Sequence, residues 1–166
     1  MTSATTVPPP KAATVAEAFL RPDLFIPELR SKRKSSVLEE LAQALAGPGV
    51  TRHPEGVLEL LRQREALGST GIGKGVAVPH ARSTLVSERV VLLARSKKGV
   101  EFEAVDGAPV NLIFLIVAPP IEPDPTYLKL LAEIVHSVRL AKVRQKLLEA
   151  PSFEAAREVL RIAAAS

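Results

Sequence analysis

The sequence predicts a single-domain α/β/α sandwich, in which a central mixed β-sheet is flanked by helices on both faces. Three observations lead to this prediction. The chain has 166 residues, enough for one domain with its own core. Apolar residues recur at helical spacing before, between and after short strand-like runs, which is typical of layered α/β domains. Residues 110–117 are apolar almost throughout, which indicates a central strand covered on both faces.

The N-terminal segment is predicted to lie outside the folded domain. Residues 1–13 contain three consecutive prolines among Thr, Ser and Ala, a composition that cannot pack a core. We therefore expect a disordered tail over residues 1–13 and a folded domain over residues 14–166. Residues 15–25 are predicted to form a short helical turn and an edge strand, because Pro22 and Pro27 impose extended backbone on the residues before them.

Two helices are predicted in the first half of the domain. Ser36 and Glu39 have the spacing of a capping box, so the first helix is expected over residues 37–46, ended by the Gly-Pro-Gly segment that follows. Pro54 suits the first position of a second helix, whose pattern continues to residue 67.

Strands are predicted in the middle of the chain. Residues 76–79 alternate as a brief strand and residues 89–95 form a buried one. Residues 97–99, with the sequence Lys-Lys-Gly, are expected to be a turn before a short strand or irregular segment over 100–105. The apolar segment 110–117 is the expected central strand.

Three helices are predicted to complete the domain. Apolar residues at helical spacing predict a long amphipathic helix over residues 126–140. A shorter helix over residues 141–149 is expected to stop before Pro151, and Ser152 is the expected N-cap of the last helix.

The composition excludes several classes of site and partner. There are no cysteines and only three scattered histidines, so we expect neither disulfides nor a metal site. The net charge is only +4, with five Phe, one Tyr and no Trp, which argues against nucleic-acid binding. The longest apolar run is too short to span a bilayer, and the N-terminus has no secretory pattern. We expect a cytoplasmic protein without membrane insertion.

Residues 64–83 carry the strongest functional signal. They contain four glycines within eight residues, followed by an alternating apolar stretch that ends in Pro79 and His80. A glycine-rich loop leaves backbone N–H groups open to phosphate, and a neutral imidazole is a nucleophile near pH 7. This pattern predicts a phosphate-handling site in which Arg64 and loop amides meet the phosphate charge. Arg82 either helps to hold phosphate or is an ordinary solvated arginine.

A nucleotide-binding P-loop is the competing interpretation. Residues 68–74 satisfy the pattern G-x-x-x-x-G-K, but Gly75 stands where a P-loop needs Ser or Thr to hold Mg²⁺. The context is also inverted, because a P-loop follows a strand and opens a helix. We therefore expect no nucleotide and no cofactor.

At residues 64–80 the sequence resembles the fructose/mannitol-type enzyme IIA domain of the bacterial phosphoenolpyruvate-dependent phosphotransferase system, including its nitrogen-regulatory branch. The family pattern R-E-x-x-G-S-T-G-I-G-N-G-[IV]-A-[IV]-P-H is met at nearly every position, with Lys74 where Asn is usual. The resemblance extends more weakly from about residue 15 to the C-terminus.

The resemblance implies an active site. His80 falls on the family's phosphorylated histidine and Arg64 on its active-site arginine, so these are the expected catalytic residues. Ser69, Thr70 and Gly71 fall within the family's G-S-T-G loop and are expected to bind phosphate. The two hydroxyls either contact phosphate directly or bond to neighbouring backbone.

Tyr127 is the second departure from the family. It stands where many members have a second active-site histidine. A tyrosine hydroxyl donates a hydrogen bond but does not titrate near pH 7. We therefore expect Tyr127 to contact phosphate, with transfer that is slower or serves a regulatory end.

The resemblance also implies partners. The expected donor is a histidine phosphocarrier protein (HPr-like), from which His80 accepts a phosphoryl group. His80 then either passes the group to a IIB domain in sugar transport or acts as a switch toward regulatory target proteins, and the nitrogen-regulatory type is favoured. The alternative is a non-catalytic regulatory module that binds other proteins, with phosphorylation weak or unused.

Overall fold

The structure is a computed structural model that describes residues 18–121 and 125–165, so the predicted tail over 1–13 lies outside the described residues. The described residues form six strands and five helices. In chain order these are β1 (Leu20–Ile26), α1 (Lys34–Ala46), α2 (Pro54–Ala66), β2 (Gly71–Gly73), β3 (Val76–Ala77), β4 (His80–Arg82), β5 (Val90–Val100), β6 (Val110–Ala118), α3 (Pro125–Ser137), α4 (Ala141–Glu149) and α5 (Phe153–Ala164).

The six strands form one mixed sheet, as the sequence predicts. The strand order is β1-β5-β6-β3-β2, and β4 also pairs with β6. β5 and β6 are antiparallel, whereas β1 runs parallel to β5 and both β3 and β4 run parallel to β6. β1 is therefore the predicted edge strand, and the apolar β6 lies at the centre.

Helices cover both faces of the sheet, which confirms the predicted sandwich. Side chains alternate along β6 because successive residues of a strand point to opposite faces. Ile113, Leu115 and Val117 pack with α1 and α2, whereas Phe114 and Ile116 pack with α3, α4 and α5. Both sets are fully buried, so the unbroken apolar run reflects burial on two sides.

β3 and β4 pair one after the other with the same edge of β6, and both are parallel to it. Ala77 pairs with Ile113 and His80 pairs with Ile116, so both chains advance three positions from one pair to the next and the register is kept. The two strands are separated by residues 78–79, where Pro79 has no N–H to donate. The strand predicted over 76–79 is therefore confirmed at 76–77 and ends two residues early, and His80 begins a separate strand.

Two helix boundaries differ from their predictions. α1 begins at Lys34 with Arg33 at its N-cap position, and no side chain caps it, so the predicted capping box at Ser36 and Glu39 is wrong. The N–H of Lys34 donates to the carbonyl of Glu101 at 3.0 Å, so a tertiary contact starts the helix earlier. α3 ends at Ser137, three residues before the predicted end.

The remaining helix signals are confirmed. Pro54 opens α2, α4 spans Ala141–Glu149, and the hydroxyl of Ser152 accepts a hydrogen bond from the N–H of Ala155 as the cap of α5. Within the described ranges, no helix combines the length and hydrophobicity that a membrane crossing requires.

The predicted turn over residues 97–99 is wrong. β5 continues through it from Val90 to Val100 as one strand of 11 residues. Between the pairs Arg95–Leu112 and Val100–Val110, β5 advances five positions and β6 two, so the Lys-Lys-Gly segment is accommodated as an irregularity within the strand.

Candidate functional site

His80 is presented to solvent by the alternation of β4. Ala81 points into the core, whereas His80 and Arg82 are half-buried on the opposite side. Residues two apart on a strand share a face, so the imidazole and the Arg82 guanidinium emerge on the same side of the sheet.

The backbone orients the His80 ring. Nδ1 lies 2.9 Å from the carbonyl oxygen of Val78. A carbonyl oxygen only accepts hydrogen bonds, so Nδ1 donates and carries the proton. Nε2 then has the free lone pair, and it faces Arg64, whose Nε–H donates to it across 3.4 Å. The two contacts require the same tautomer.

Arg64 is held between helix and loop. It lies in the last turn of α2, and its Nη1 donates to the carbonyl of Gly68 at 2.9 Å. This contact fixes the guanidinium plane, because the side chain is anchored at both Nη1 and Nε. A permanent positive charge therefore lies next to His80 Nε2.

Tyr127 approaches the site from the other side. It lies in the first turn of α3 and is 7% exposed. Its ring centroid is 6.2 Å from that of His80, with an interplanar angle of 66°. The Arg82 guanidinium lies 5.2 Å from the Tyr127 ring centroid, and Arg82 Nη2 donates to the carbonyl of Ile121 at 2.7 Å.

These side chains surround one shallow cleft that is open to solvent. Its volume is about 280 Å³, and it is lined by Leu60, Arg64, His80, Ala81, Arg82 and Tyr127. The cleft therefore combines an imidazole, two guanidinium groups and a phenol ring.

Part of the glycine-rich segment, which the sequence predicts to be a loop, is a strand. Residues 71–73 form β2, which pairs with β3 as a hairpin. Ser69 Oγ donates to the carbonyl of Phe102 at 3.2 Å and accepts from the N–H of Gly71 at 3.0 Å. A Cβ on Gly71 would lie 2.8 Å from the Cα of Ala104, so close packing accounts for that glycine.

A buried carboxylate holds Thr70. Glu65 accepts hydrogen bonds from both the hydroxyl and the N–H of Thr70. Lys34 Nζ lies 2.7 Å from Glu65 Oε2, and the two side chains are 15% and 5% exposed. Local patterns gave no sign of the contact with Lys34, because Lys34 lies 31 positions before Glu65. The signal for Glu65 itself was the Glu that directly follows Arg in the family pattern.

The structure thus divides the six predicted site residues into two groups. His80, Arg64 and Tyr127 meet at the cleft. Ser69, Thr70 and Gly71 support the hairpin beside it, and none of the three lines the cleft. The Ser69 hydroxyl bonds to backbone, which is the second alternative of the sequence analysis, whereas the Thr70 hydroxyl donates to the Glu65 carboxylate, which neither alternative named.

Lys74 occupies the turn of the β2–β3 hairpin in a left-handed conformation, with φ of 57°. Asn and Gly adopt this conformation more readily than other residues, which explains the Asn that is usual in the family pattern. The N–H of Lys74 donates to Asp106 Oδ2 at 2.9 Å. This bond and a second one from the N–H of Ala108 lower the pKa of Asp106.

The other two histidines lie elsewhere. His53 occupies the N-cap position of α2 and His136 is exposed in the last turn of α3. Across residues 18–121 and 125–165, no three His, Cys, Asp or Glu side chains cluster in a way that could hold a metal ion.

The family model "Phosphoenolpyruvate-dependent sugar phosphotransferase system, EIIA 2" matches residues 18–162. A "Nitrogen regulatory protein" of Bradyrhizobium diazoefficiens is 36% identical over 129 residues, covering 78% of this chain and 83% of that protein. The "PTS system fructose-specific EIIABC component" of Bacillus subtilis is 33% identical over 132 residues. That match covers 80% of this chain but only 21% of that protein.

Solved structures share the fold. The nitrogen regulatory protein IIA-Ntr from Neisseria meningitidis superimposes with a TM-score of 0.80 at 30% identity, covering 87% of this chain and 97% of that one. The enzyme IIA for mannitol from Escherichia coli, solved in complex with its phosphorylated enzyme IIB, has a TM-score of 0.72 at 19% identity, with coverages of 85% and 97%. The chain belongs to the EIIA 2 family of the phosphoenolpyruvate-dependent sugar phosphotransferase system.

Proposed function

We propose that this chain is a phosphocarrier that accepts a phosphoryl group on Nε2 of His80 from a histidine phosphocarrier protein. The observation that carries the proposal is the approach of Arg64 Nε to His80 Nε2, 3.4 Å apart, in an open cleft. The Nε2 lone pair of His80 can then attack an incoming phosphoryl group while the Arg64 guanidinium binds its oxygens.

The transfer needs no added base. The Nε2 lone pair attacks phosphorus, an Nε2–P bond forms, and the N–P bond of the donor phosphohistidine breaks with its electron pair returning to the donor imidazole. Nδ1 keeps its proton, and the carbonyl of Val78 stabilises the positive charge that the ring gains. Arg64 exchanges its contact with Nε2 for one with the equatorial oxygens, whose charge it offsets.

A partner protein has apolar surface to contact around the cleft. Leu67, Ile121 and Leu128 are 86%, 57% and 67% exposed. Leu67 follows the helix that carries Arg64, the Ile121 carbonyl binds Arg82, and Leu128 follows Tyr127. Apolar anchors around a polar centre are common at protein interfaces, which suits an HPr-like donor that docks and leaves.

The acceptor is either a IIB domain or a regulatory target. We favour the nitrogen-regulatory role in the cytoplasm, because the IIA-Ntr structure from Neisseria meningitidis is more similar to this chain, at 30% identity and a TM-score of 0.80, than the mannitol enzyme IIA, at 19% and 0.72. Phosphorylation would then add charge at the cleft and change which proteins bind there.

Phosphotransfer from labelled phosphoenolpyruvate tests the proposal. The full chain is incubated with enzyme I and the histidine phosphocarrier protein, and acid-labile label on the chain is measured. We expect labelling of the wild type, loss of labelling in His80→Ala, and retention in His136→Ala. Equal labelling of His80→Ala would rule out this acceptor.

A non-catalytic protein-binding module is the second candidate. Tyr127 supports it, because a neutral phenol in the cleft cannot supply the charge of an imidazolium. This reading predicts no labelling of the wild type under conditions in which a nitrogen regulatory protein of the same family is labelled.

A further inference from the structure

We propose that the groove between α4 and α5 is a second protein-binding surface, which takes an amphipathic helix of a partner protein with acidic residues beside its apolar face. Ser137, the last residue of α3, lines this α4–α5 groove. It lies ten positions after Tyr127 on the same helix, which is roughly 15 Å along the helix axis. The groove is therefore separate from the transfer cleft, and the inference does not depend on phosphoryl transfer.

The floor of the α4–α5 groove is apolar. Its side chains are Leu140, Val143, Val159 and Ile162. Leu140 is 50% exposed and Ile162 is 56% exposed. The volume is about 200 Å³, below the range of roughly 300–1,000 Å³ that is typical of small-molecule sites. The groove therefore suits the anchoring side chains of a partner protein better than a whole small ligand.

α5 has a wider apolar face than the core covers. Ala156, Leu160 and Ala163 are buried, and Val159 and Ile162 continue this face on the side of α4. Residues three apart on a helix are neighbours on its surface, so the two side chains form one apolar edge along the groove. An apolar edge of this kind is what an amphipathic partner helix packs against.

One side of the groove is cationic. Arg139, Lys142 and Lys146 line it, and no carboxylate of the described residues does. Lys142 and Lys146 are exposed and four residues apart on α4, so their side chains leave the same face one turn apart. Within residues 18–121 and 125–165 neither lysine forms an ion pair, whereas the exposed Arg21 and Arg62 pair with carboxylates. Charge complementarity therefore selects an acidic partner.

The same features argue against other occupants. A symmetric contact between two copies of the chain places one patch against itself, so it would bring the cations of the groove together. A membrane-bound helix presents apolar side chains that protrude into lipid, whereas Val143 and Val159 are half-buried between two helices. A partner helix inserts its own apolar residues into such a groove. Carboxylates one turn apart on that helix would meet Lys142 and Lys146.

Fluorescence anisotropy with two synthetic peptides tests the inference on the full chain. The acidic peptide has about 18 residues, with leucines at helical spacing on one face and glutamates beside them. The basic peptide has lysines in place of the glutamates. We expect the acidic peptide to bind at least about 10-fold more tightly than the basic one, because only its charges complement the groove.

Two variants and a matched control locate the binding. The charge-reversal variant Lys142→Glu/Lys146→Glu should weaken binding of the acidic peptide by about 10-fold or more, because two attractive contacts become repulsive. Leu140→Ala should weaken it by about 3- to 10-fold, since it shortens an anchor contact. The control variant Lys32→Glu/Arg52→Glu changes the net charge equally at exposed positions before α1 and α2, which cover the other face of the sheet. It should bind within twofold of the wild type, and circular dichroism verifies that each variant is folded.

The results also identify the occupant. Equal binding of the two peptides, or an equal loss in the charge-reversal and control variants, would overturn the inference, since net charge and not the groove would then cause binding. It would also fail if the acidic peptide did not bind at all. Sedimentation with phosphatidylglycerol vesicles that the charge-reversal variant abolishes would then assign the groove to an anionic membrane. A concentration-dependent dimer that Leu140→Ala abolishes would assign it to a second copy of the chain.

The inference and the proposed function fail separately. Phosphotransfer to His80 is measured as acid-labile label, and the groove variants should leave that label unchanged because the groove lies outside the cleft lining. Absence of label in the wild type would overturn the phosphocarrier and leave the binding of the acidic peptide intact.

Discussion

Replacing Glu65 by Gln tests the buried ion pair that supports the glycine-rich hairpin. The substitution removes the negative charge but keeps the shape, so it leaves the ammonium of Lys34, 15% exposed, without its partner at 2.7 Å. Breaking one side of a buried pair costs about 3–5 kcal/mol. Glu103 lies 3.9 Å from Lys34 Nζ and is mostly exposed, so it compensates weakly. We expect a loss of about 2–3 kcal/mol in the free energy of unfolding.

Urea denaturation followed by circular dichroism measures this loss, with the midpoint falling by about 1 M or more at a typical slope. The matched control is Glu39→Gln, which breaks an ion pair with Arg62 at 2.9 Å whose side chains are 57% and 43% exposed. Exposed pairs contribute about 0–1 kcal/mol.

A double variant distinguishes two causes of the loss in stability: the missing attraction between Lys34 and Glu65, and the cost of burying the Lys34 charge without a partner. The double variant Lys34→Met/Glu65→Gln removes both charges, keeps an acceptor oxygen for Thr70, and should be more stable than Glu65→Gln alone. A loss in Glu65→Gln no larger than that in Glu39→Gln would refute the reasoning, since burial would then have made no difference.

Three further substitutions probe the hairpin and its surroundings. Lys74→Asn should raise the free energy of unfolding by about 0.5–1 kcal/mol in urea titrations, because Asn tolerates the left-handed turn better. Gly71→Ala should lower it by about 1–3 kcal/mol, because the new Cβ meets the backbone of Ala104. Asp106→Asn should be destabilising at pH 7 and lose that effect in acid. The folded pKa of Asp106 is lowered, so the stability it contributes is present above the unfolded value of about 3.9 and disappears as pH falls through the folded pKa.

Periodicity was sufficient to predict the layers of this fold. The apolar run in β6 indicated a strand with helices on both of its faces, and its alternate side chains do pack against two different sets of helices. Ser152 and Pro54 marked helix starts correctly because their effects are local. The start of α1 could not be predicted, since a hydrogen bond to Glu101, 67 residues away, sets it.

The residues of the candidate site could also be predicted in part from the sequence. The resemblance to the enzyme IIA family indicated that Arg64 and His80 share one site, and the structure brings Arg64 Nε to 3.4 Å from His80 Nε2. The roles of the residues between them were less visible. Whether Thr70 faces phosphate or a carboxylate depends on Glu65 and Lys34 meeting in space, and no local pattern encodes that contact.

The end of the β2–β3 pairing has a consequence for how the site tolerates mutation. The N–H of Val78 donates to the carbonyl of Thr70 at 3.0 Å, but the N–H of Thr70 donates to Glu65, so the Val78 carbonyl is available to the imidazole of His80. Every amino acid at position 78 supplies the same carbonyl, so no side-chain replacement there deletes the acceptor that selects the tautomer. Loss of that selection would require a change in the path of the chain, which makes the ring's proton assignment a property of the fold and not of one replaceable side chain.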